Sequence, residues 1–417
     1  MQKWVGLLDC NNFFVSCERL FRPDLKGKPV MVLSSNDGCV VARSQEIKDI
    51  GVPMGVPLFQ VKDIIKDNNV AIFSSHFALY RDVSRRVFAV LRREINAIEQ
   101  YSIDEAFFVL VGSAESVEAR ALVLKDIIER ETGIPVSIGV ARSKTIAKYA
   151  STVAKKTKGV KLLAAKEWKS LQSKIELREI WGVGAKTSQT FRKNGLLTVA
   201  DFVNLEKRTV KTLFGVVGER LLSELNEISA SGLTRALEPQ KSILHTRSFK
   251  ETTLDIEVLK DAVSHHLREA AEDLRSMGFL TKSFTVYLGT SRHGDYLLQG
   301  GSKNLILLTP TNDTFTLMKE AMKAVDGLYK AGVLYKKAGV LLTDFSPAAG
   351  AQLSFLEDER EIRTKQLMPL LDLVNKKNGR GSVLLGTRLK TDEWQSAQMK
   401  KSPAYTTNWK DVPTVKA

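Results

Sequence analysis

An α+β fold built from several domains is predicted by three features of this 417-residue sequence. Short apolar runs alternate with helix-period segments through the first 165 residues. The chain is longer than one hydrophobic core usually supports, and a second strand-and-helix pattern begins near residue 241. A composition of 43% hydrophobic and 26% charged residues is that of a folded, soluble protein. Lysine and arginine number 62 against 47 aspartate and glutamate, and the net charge of +15 suits a polyanionic partner, either nucleic acid or an anionic membrane. No apolar run reaches the ~18 residues of a membrane span, and Met1-Gln2-Lys3-Trp4 does not open a signal peptide, so no membrane contact and a cytoplasmic location are expected. Cys10, Cys17 and Cys39 are too few and too unevenly placed for a disulfide framework. The histidines at 76, 245, 265, 266 and 293 show no zinc-ligand spacing with them.

Residues 3–8 read as a strand, and Asp9, Asn11 and Asn12 turn the chain into a helix over 13–20. A strand at 29–33, a turn at 34–38 and a polar helix ending near Ile50 follow, with Gly51-Val52-Pro53-Met54-Gly55 as its stop. Leu79, Val83, Val87, Val90 and Leu91 mark a helix within 77–99, and 101–109 returns to strand character. A helix over 115–131 and a strand over 135–140 complete this α+β region.

Its chemistry lies in Asp9, at the end of the first strand, and in the adjacent acids Asp104 and Glu105 within an apolar run. Carboxylate oxygens are the ligands hard Mg²⁺ accepts, usually one or two of them together with substrate phosphates. Neighbouring side chains of a regular strand face opposite ways. Either the chain turns at Ile103-Asp104, or Asp104 binds alone while Glu105 acts at longer range; a single acid beside a solvated neighbour is the bland alternative.

Residues 142–174 hold ten basic residues against one acid, Glu167. Lys144, Lys148 and Lys155 fall within about 40° of one another on a helix, as a solvated face or as an anion-contacting one. Two glycine turns, Gly182-Val183-Gly184 ahead of Lys186 and Gly215-Val216-Val217-Gly218, fit helix-hairpin-helix units whose free N–H groups hold DNA phosphates without reading sequence; an ordinary helical hairpin has the same pattern. The module over 241–345 has strands at 284–288 and 305–308 and helices near 256–276 and 314–331. From 346 the composition is that of a flexible linker and polar tail.

The order Asp9-Cys10-Asn11-Asn12-Phe13-Phe14, Ser102-Ile103-Asp104-Glu105, Lys155 and the glycine hairpin at 182–184 resembles the Y-family translesion DNA polymerases over essentially the whole chain. Phe21-Arg22-Pro23-Asp24-Leu25, Ser35-Asn36-Asp37-Gly38-Cys39-Val40, Tyr101 to Phe107 and Leu308-Thr309-Pro310-Thr311 are similar to the UmuC-like catalytic subunits of bacterial DNA polymerase V. The resemblance implies a right-hand polymerase: palm over 1–20 and 75–165, fingers over 21–74, a helix-hairpin-helix thumb over 166–240, a little finger over 241–345 and a partner-binding tail over 346–417. It implies error-prone, DNA-directed DNA synthesis in the SOS response, with two Mg²⁺ ions on Asp9, Asp104, Glu105 and the backbone carbonyl of Cys10.

The resemblance further implies that Phe13 and Phe14 line the nucleotide site, Phe14 as a steric gate against ribose, where the residues alone favour core packing. Lys48 and Lys155 would hold the triphosphate; many members carry tyrosine and arginine in this finger segment, whereas this chain has Gln45 and Lys48, a point charge in place of a bidentate guanidinium. Lys144, Lys148, Gly182, Gly184 and Lys186 would contact DNA. Gln352-Leu353-Ser354-Phe355-Leu356 is similar to a sliding-clamp peptide with its last two residues transposed, or is a generic apolar linker. Primer-template DNA, deoxynucleoside triphosphates, a sliding clamp, a cleaved UmuD-like dimer and a RecA filament are the implied partners. A palm-fold nucleotidyl cyclase and a non-catalytic DNA-binding subunit are the competing readings; the second gives no reason to gather three mutually repelling carboxylates.

Overall fold

The computed structural model describes residues 2–229, 232–233, 240–291, 300–349, 359–379, 382–383, 394 and 398–414. They form two compact units. One comprises Met1–Ser34, Gly38–Leu237 and Lys400–Ala417, the other Ser35–Asp37 and Glu238–Met399.

The first unit opens with β1 (Gln2–Cys10), whose apolar residues are buried on both faces, and α1 (Phe13–Phe21). A small sheet follows, made of β2 (Val30–Leu33), β3 (Val40–Arg43) and β4 (Ala71–Ser74) in the order β3-β2-β4, with the short helices α2 (Gln45–Asp49) and α3 (Lys62–Asp67) between β3 and β4. Met31, Leu33, Val40, Ile47, Val52 and Val61 are its own small core. Next come α4 (Phe77–Glu94), β5 (Ile98–Gln100), β6 (Glu105–Gly112), α5 (Ala114–Thr132), β7 (Val136–Ala141), α6 (Lys144–Ala154) and β8 (Val160–Leu162). The main sheet runs β5-β6-β1-β7-β8, with β1 antiparallel to both β6 and β7.

Each helix has a local cause. Of the predicted α4 positions, Leu79, Val83, Val87 and Leu91 are buried and Val90 is half-buried at the edge of the apolar stripe. Ser113 and Ser143 cap α5 and α6 by accepting the N–H of Ser116 and Ile146. Helix α6 lies directly on β7 because Gly139 has no side chain: a Cβ there would meet the backbone of Ala147, Ala150 and Ser151. That close seating carries the lysines of α6 along the sheet. Leu8, Cys10, Phe108 and Ile138 face one core with α1, α4 and α5, and Leu7, Phe107 and Ala141 face another with α6.

The second core continues into α7 (Ala165–Leu171), α8 (Ala185–Lys193), α9 (Val199–Val203) and α10 (Lys207–Leu225). α10 breaks at Gly215, whose φ of 64° and ψ of −161° no helical residue adopts, so the glycine pair at 215 and 218 does turn the chain between two helical stretches.

The other unit is an antiparallel sheet, β11-β10-β12-β9, formed by β9 (Ile243–Thr253), β10 (Phe279–Thr290), β11 (Gly301–Thr311) and β12 (Tyr335–Pro347). α11 (Ile256–Ser276) and α12 (Thr314–Leu328) share its core. Trp394 is buried there and donates its indole N–H to Asp261 at 2.7 Å.

The linker-like reading of the tail changes in two places. Residues Glu359–Asn378 form a helix, α13, and the segment from Lys400 packs into the first unit. Among the described residues no helix is long and apolar enough to cross a membrane.

Candidate active site

Strand pairing brings the acids together. Asp9 at the end of β1 lies opposite Glu105, the first residue of β6. Before Glu105 the chain is not extended: the N–H groups of Tyr101 and Ser102 both bond the Glu105 carbonyl at 2.9 and 3.1 Å, which folds 101–104 into a tight turn. Of the two backbone arrangements open to the sequence, the chain takes the bent one. The Asp104 carbonyl accepts the Cys10 N–H at 2.9 Å, and its carboxylate accepts the Ser102 hydroxyl at 2.6 Å. Asp104 is thereby tied to the same strand end as Asp9.

The electrostatics report the crowding. Burial, and then the neighbouring Asp9, push the Glu105 carboxyl up to about 7, against the pull of Lys148. Burial, followed by the fields of Asp104 and Asp9, raises the Cys10 thiol well above its usual range, so Cys10 is a packed thiol. Two ammonium groups balance the acids: Lys155 Nζ lies 2.7 Å from Asp9 Oδ2, and Lys148 pairs with Glu105.

Among the described residues no three carboxylate, thiol or imidazole groups stand in ligating geometry. A divalent cation nevertheless fits the chemistry of this donor set. The donors are hard oxygens, the three carboxylates outnumber the two ammonium groups paired with them, and Mg²⁺ needs few protein ligands when phosphates supply the rest.

Lys48 Nζ bonds Asn12 Oδ1 at 2.5 Å, and its ammonium is pushed below the usual lysine range by burial, Lys155 and Arg43. Arg43, whose guanidinium bonds the Val52 carbonyl and whose field acts on Lys48, adds to this positive charge and is a residue that sequence reasoning missed. Gln45 is exposed and bonds Asp49.

Two assignments are corrected. Phe13 is only 3% exposed and packs in the core, so its ring presents no face to a nucleotide; Phe14 is half-buried. Lys144 is 5% exposed, with Nζ held by both Glu99 oxygens at 3.0 and 2.8 Å and by the Gly232 carbonyl at 3.0 Å. It is a structural cation rather than a DNA contact. Lys144→Ala removes the ammonium paired with both oxygens of the mostly buried Glu99 and is expected to cost about 2–3 kcal/mol, lowering the thermal midpoint by roughly 4–10 °C while the salt dependence of DNA binding stays unchanged. A normal midpoint with a shallower salt slope would restore the DNA-contact role.

Gly182, with φ of 88°, and Gly184, the N-cap of α8, are exposed together with Lys186. Trp181, beside this turn, meets the edge of Tyr101 at 5.3 Å, so the hairpin adjoins the acidic turn. The clamp-like peptide, Gln352 to Leu356, lies outside the described residues.

The fold is that of the Y-family DNA polymerases: a solved Y-family polymerase chimera matches with a TM-score of 0.67 at 21% identity, covering 82% of this chain and 98% of its own. Members of that class are nucleotidyltransferases that generally use divalent metals. The chain belongs to the impB/mucB/samB family, which it matches over residues 8–152, with the family's C-terminal domain over 240–355. It is 36% identical to protein SamB of Salmonella typhimurium over 99% of both chains. It is 35% identical to protein UmuC of Salmonella typhimurium strain LT2 over 99% of this chain and all of that one. Residues 365–415 match a domain of unknown function.

Proposed function

We propose that Asp9, Asp104 and Glu105 are the catalytic carboxylates of this chain, a DNA-directed DNA polymerase of error-prone translesion synthesis in the bacterial DNA-damage response. The observation that carries the assignment is the opposition of Asp9 and Glu105 across β1 and β6, with Asp104 turned onto the same strand end. These three side chains and the Cys10 carbonyl would hold two Mg²⁺ ions. When bound, such a pair lowers the pKa of a primer 3′-hydroxyl and stabilises charge on the attacking and leaving oxygens of an in-line displacement.

The chain's own contribution is positioning and neutralisation. Lys155 and Lys48, with Arg43 close by, concentrate positive charge that an arriving triphosphate relieves. Lys155 then exchanges its Asp9 partner for a phosphate, leaving the carboxylate free to ligate. Lys148 holds Glu105 in the same way and is a charge-balancing residue of the acidic cluster. Phe14 presents its ring as a steric gate, with deoxyribose tolerated and a 2′-hydroxyl excluded. Exposed Gly182, Gly184 and Lys186 suit phosphate contacts of a DNA duplex.

In this reading the main sheet with its helices is the palm, 21–74 the fingers, 166–240 the thumb and 241–345 the little finger. A sliding clamp reached through 352–356, a cleaved UmuD-like dimer and a RecA filament are the proposed protein partners, and the cytoplasm the proposed location. The test is primer extension across an abasic template site with Mg²⁺, with and without those partners. Extension that requires primed DNA is expected; nucleotide consumption without any primer would replace the polymerase by a cyclase.

A further inference from the structure

The two helices that carry the gate interlock through aromatic rings. Phe14 on α1 stacks on Tyr80 of α4 with centroids 4.4 Å apart and planes 15° from parallel, and Phe77 meets its edge at 5.8 Å. Four residues along α1 from Phe14, and so on the same face, stands Glu18, which is fully buried. Tyr80 donates its hydroxyl to Glu18 Oε1 at 2.7 Å.

A residue far away in sequence completes this junction. The Ser402 hydroxyl donates to the same Glu18 oxygen at 3.2 Å, and His76 Nδ1 lies 3.1 Å from Ser402 Oγ. With the serine proton committed to Glu18, His76 must donate from Nδ1, so the polar chain runs His76 to Ser402 to Glu18, with Tyr80 converging on the carboxylate. His76 is 3% and Ser402 7% exposed, and burial pushes the His76 imidazole down and the Glu18 carboxyl up.

The segment that delivers Ser402 is fastened on both sides. Ser74 and Lys400 exchange bonds, Ser74 N–H to the Lys400 carbonyl at 3.0 Å and Lys400 N–H to Ser74 Oγ at 2.9 Å. Tyr405 stacks on Phe21 of α1 at 4.6 Å. Asp411 closes the following turn by accepting the Ala404 N–H at 2.9 Å. The strap thus grips α1 near its C-terminal end, the end of β4 and, through His76, the start of α4.

We propose that this C-terminal strap, the end of the match to a domain of unknown function, is a specificity-determining element: Ser402 positions the Phe14–Tyr80 ring pair and so sets how strictly the site excludes ribonucleotides. The proposal rests on the reading of Phe14 as the gate. Ser402 touches neither nucleotide nor reacting atoms; it is a positioning residue acting through Glu18 and Tyr80. Removing its hydroxyl leaves a buried carboxylate with one donor fewer and a buried imidazole without its acceptor, a loss the structure relieves by shifting α1 against α4.

The test is single-nucleotide insertion by the full chain, with whatever accessory proteins its primer extension requires, comparing kcat/KM for a deoxynucleotide and the matching ribonucleotide. Ser402→Ala is expected to lower sugar discrimination roughly tenfold, mainly through a lower KM for the ribonucleotide, with deoxynucleotide insertion within about twofold. Ser402→Thr restores discrimination. Tyr80→Phe keeps the ring, removes only its hydroxyl, and is expected to reproduce the loss; it decides the matter should Ser402→Ala fold poorly. Wild-type discrimination in Ser402→Ala and Tyr80→Phe, alongside a relaxed Phe14→Ala control, would overturn the strap and leave the gate standing. Equal losses for both sugars with a lowered melting temperature would reduce Ser402 to a purely structural role and likewise overturn it. An unrelaxed Phe14→Ala removes the gate itself.

Discussion

Asp104→Ala is expected to reduce primer extension by about 10³-fold or more, the equivalent of ~4 kcal/mol of transition-state stabilisation, while the protein folds normally. The fold tolerates the change because the carboxylate is half-buried, among the described residues it accepts a side-chain bond from Ser102, two positions earlier in the same turn, and the strand connection runs through its backbone carbonyl to the Cys10 N–H. Three acids face two paired lysines, so deleting one acid relieves repulsion, and the thermal midpoint is expected within about 3 °C of wild type. The measurement is kcat/KM for nucleotide insertion together with a melting curve. Lesion bypass that survives Asp104→Ala would establish the non-catalytic subunit instead.

Phe14→Ala is expected to admit ribonucleotides, with sugar discrimination falling on the order of 10²-fold. The ring is half-buried and anchored on one side by its stack on Tyr80 and by the edge contact with Phe77, which makes it a rigid wall. Discrimination built from a clash disappears with the clashing atoms, whereas deoxynucleotide binding, which gains nothing from the clash, changes little. The substitution also removes an aromatic stack, at a cost of about 1–2 kcal/mol to stability. Unchanged sugar selection in competition assays with mixed ribo- and deoxynucleotides would remove the gate assignment.

Much of this was legible in residue order. The stripe Leu79, Val83, Val87, Leu91 in α4, the glycine break at 215 and the turn after Asp9 follow from periods and backbone preferences acting within a few residues. The short strands at 71–74, 98–100 and 160–162 are not legible there, because three or four residues carry too little period to distinguish a strand from a loop. The lysine face of α6 was visible as a face, but its direction was not. Spacing alone cannot say whether three ammonium groups look outward to DNA or along the sheet to Asp9, Glu105 and Glu99.

By itself the sequence determined the α+β class, the basic balance and the residue types of the site, since these depend on composition and on neighbours along the chain. Only the tertiary structure decided that Asp9 opposes Glu105, that Phe13 is buried while Phe14 is half-buried, that Lys144 is locked to Glu99, and that Ser402 bonds Glu18 beside the Phe14–Tyr80 stack. The reason is physical: strand register, the seating of α6 on Gly139 and the return of a segment more than 300 residues distant are set by packing between surfaces that have no shared local signal.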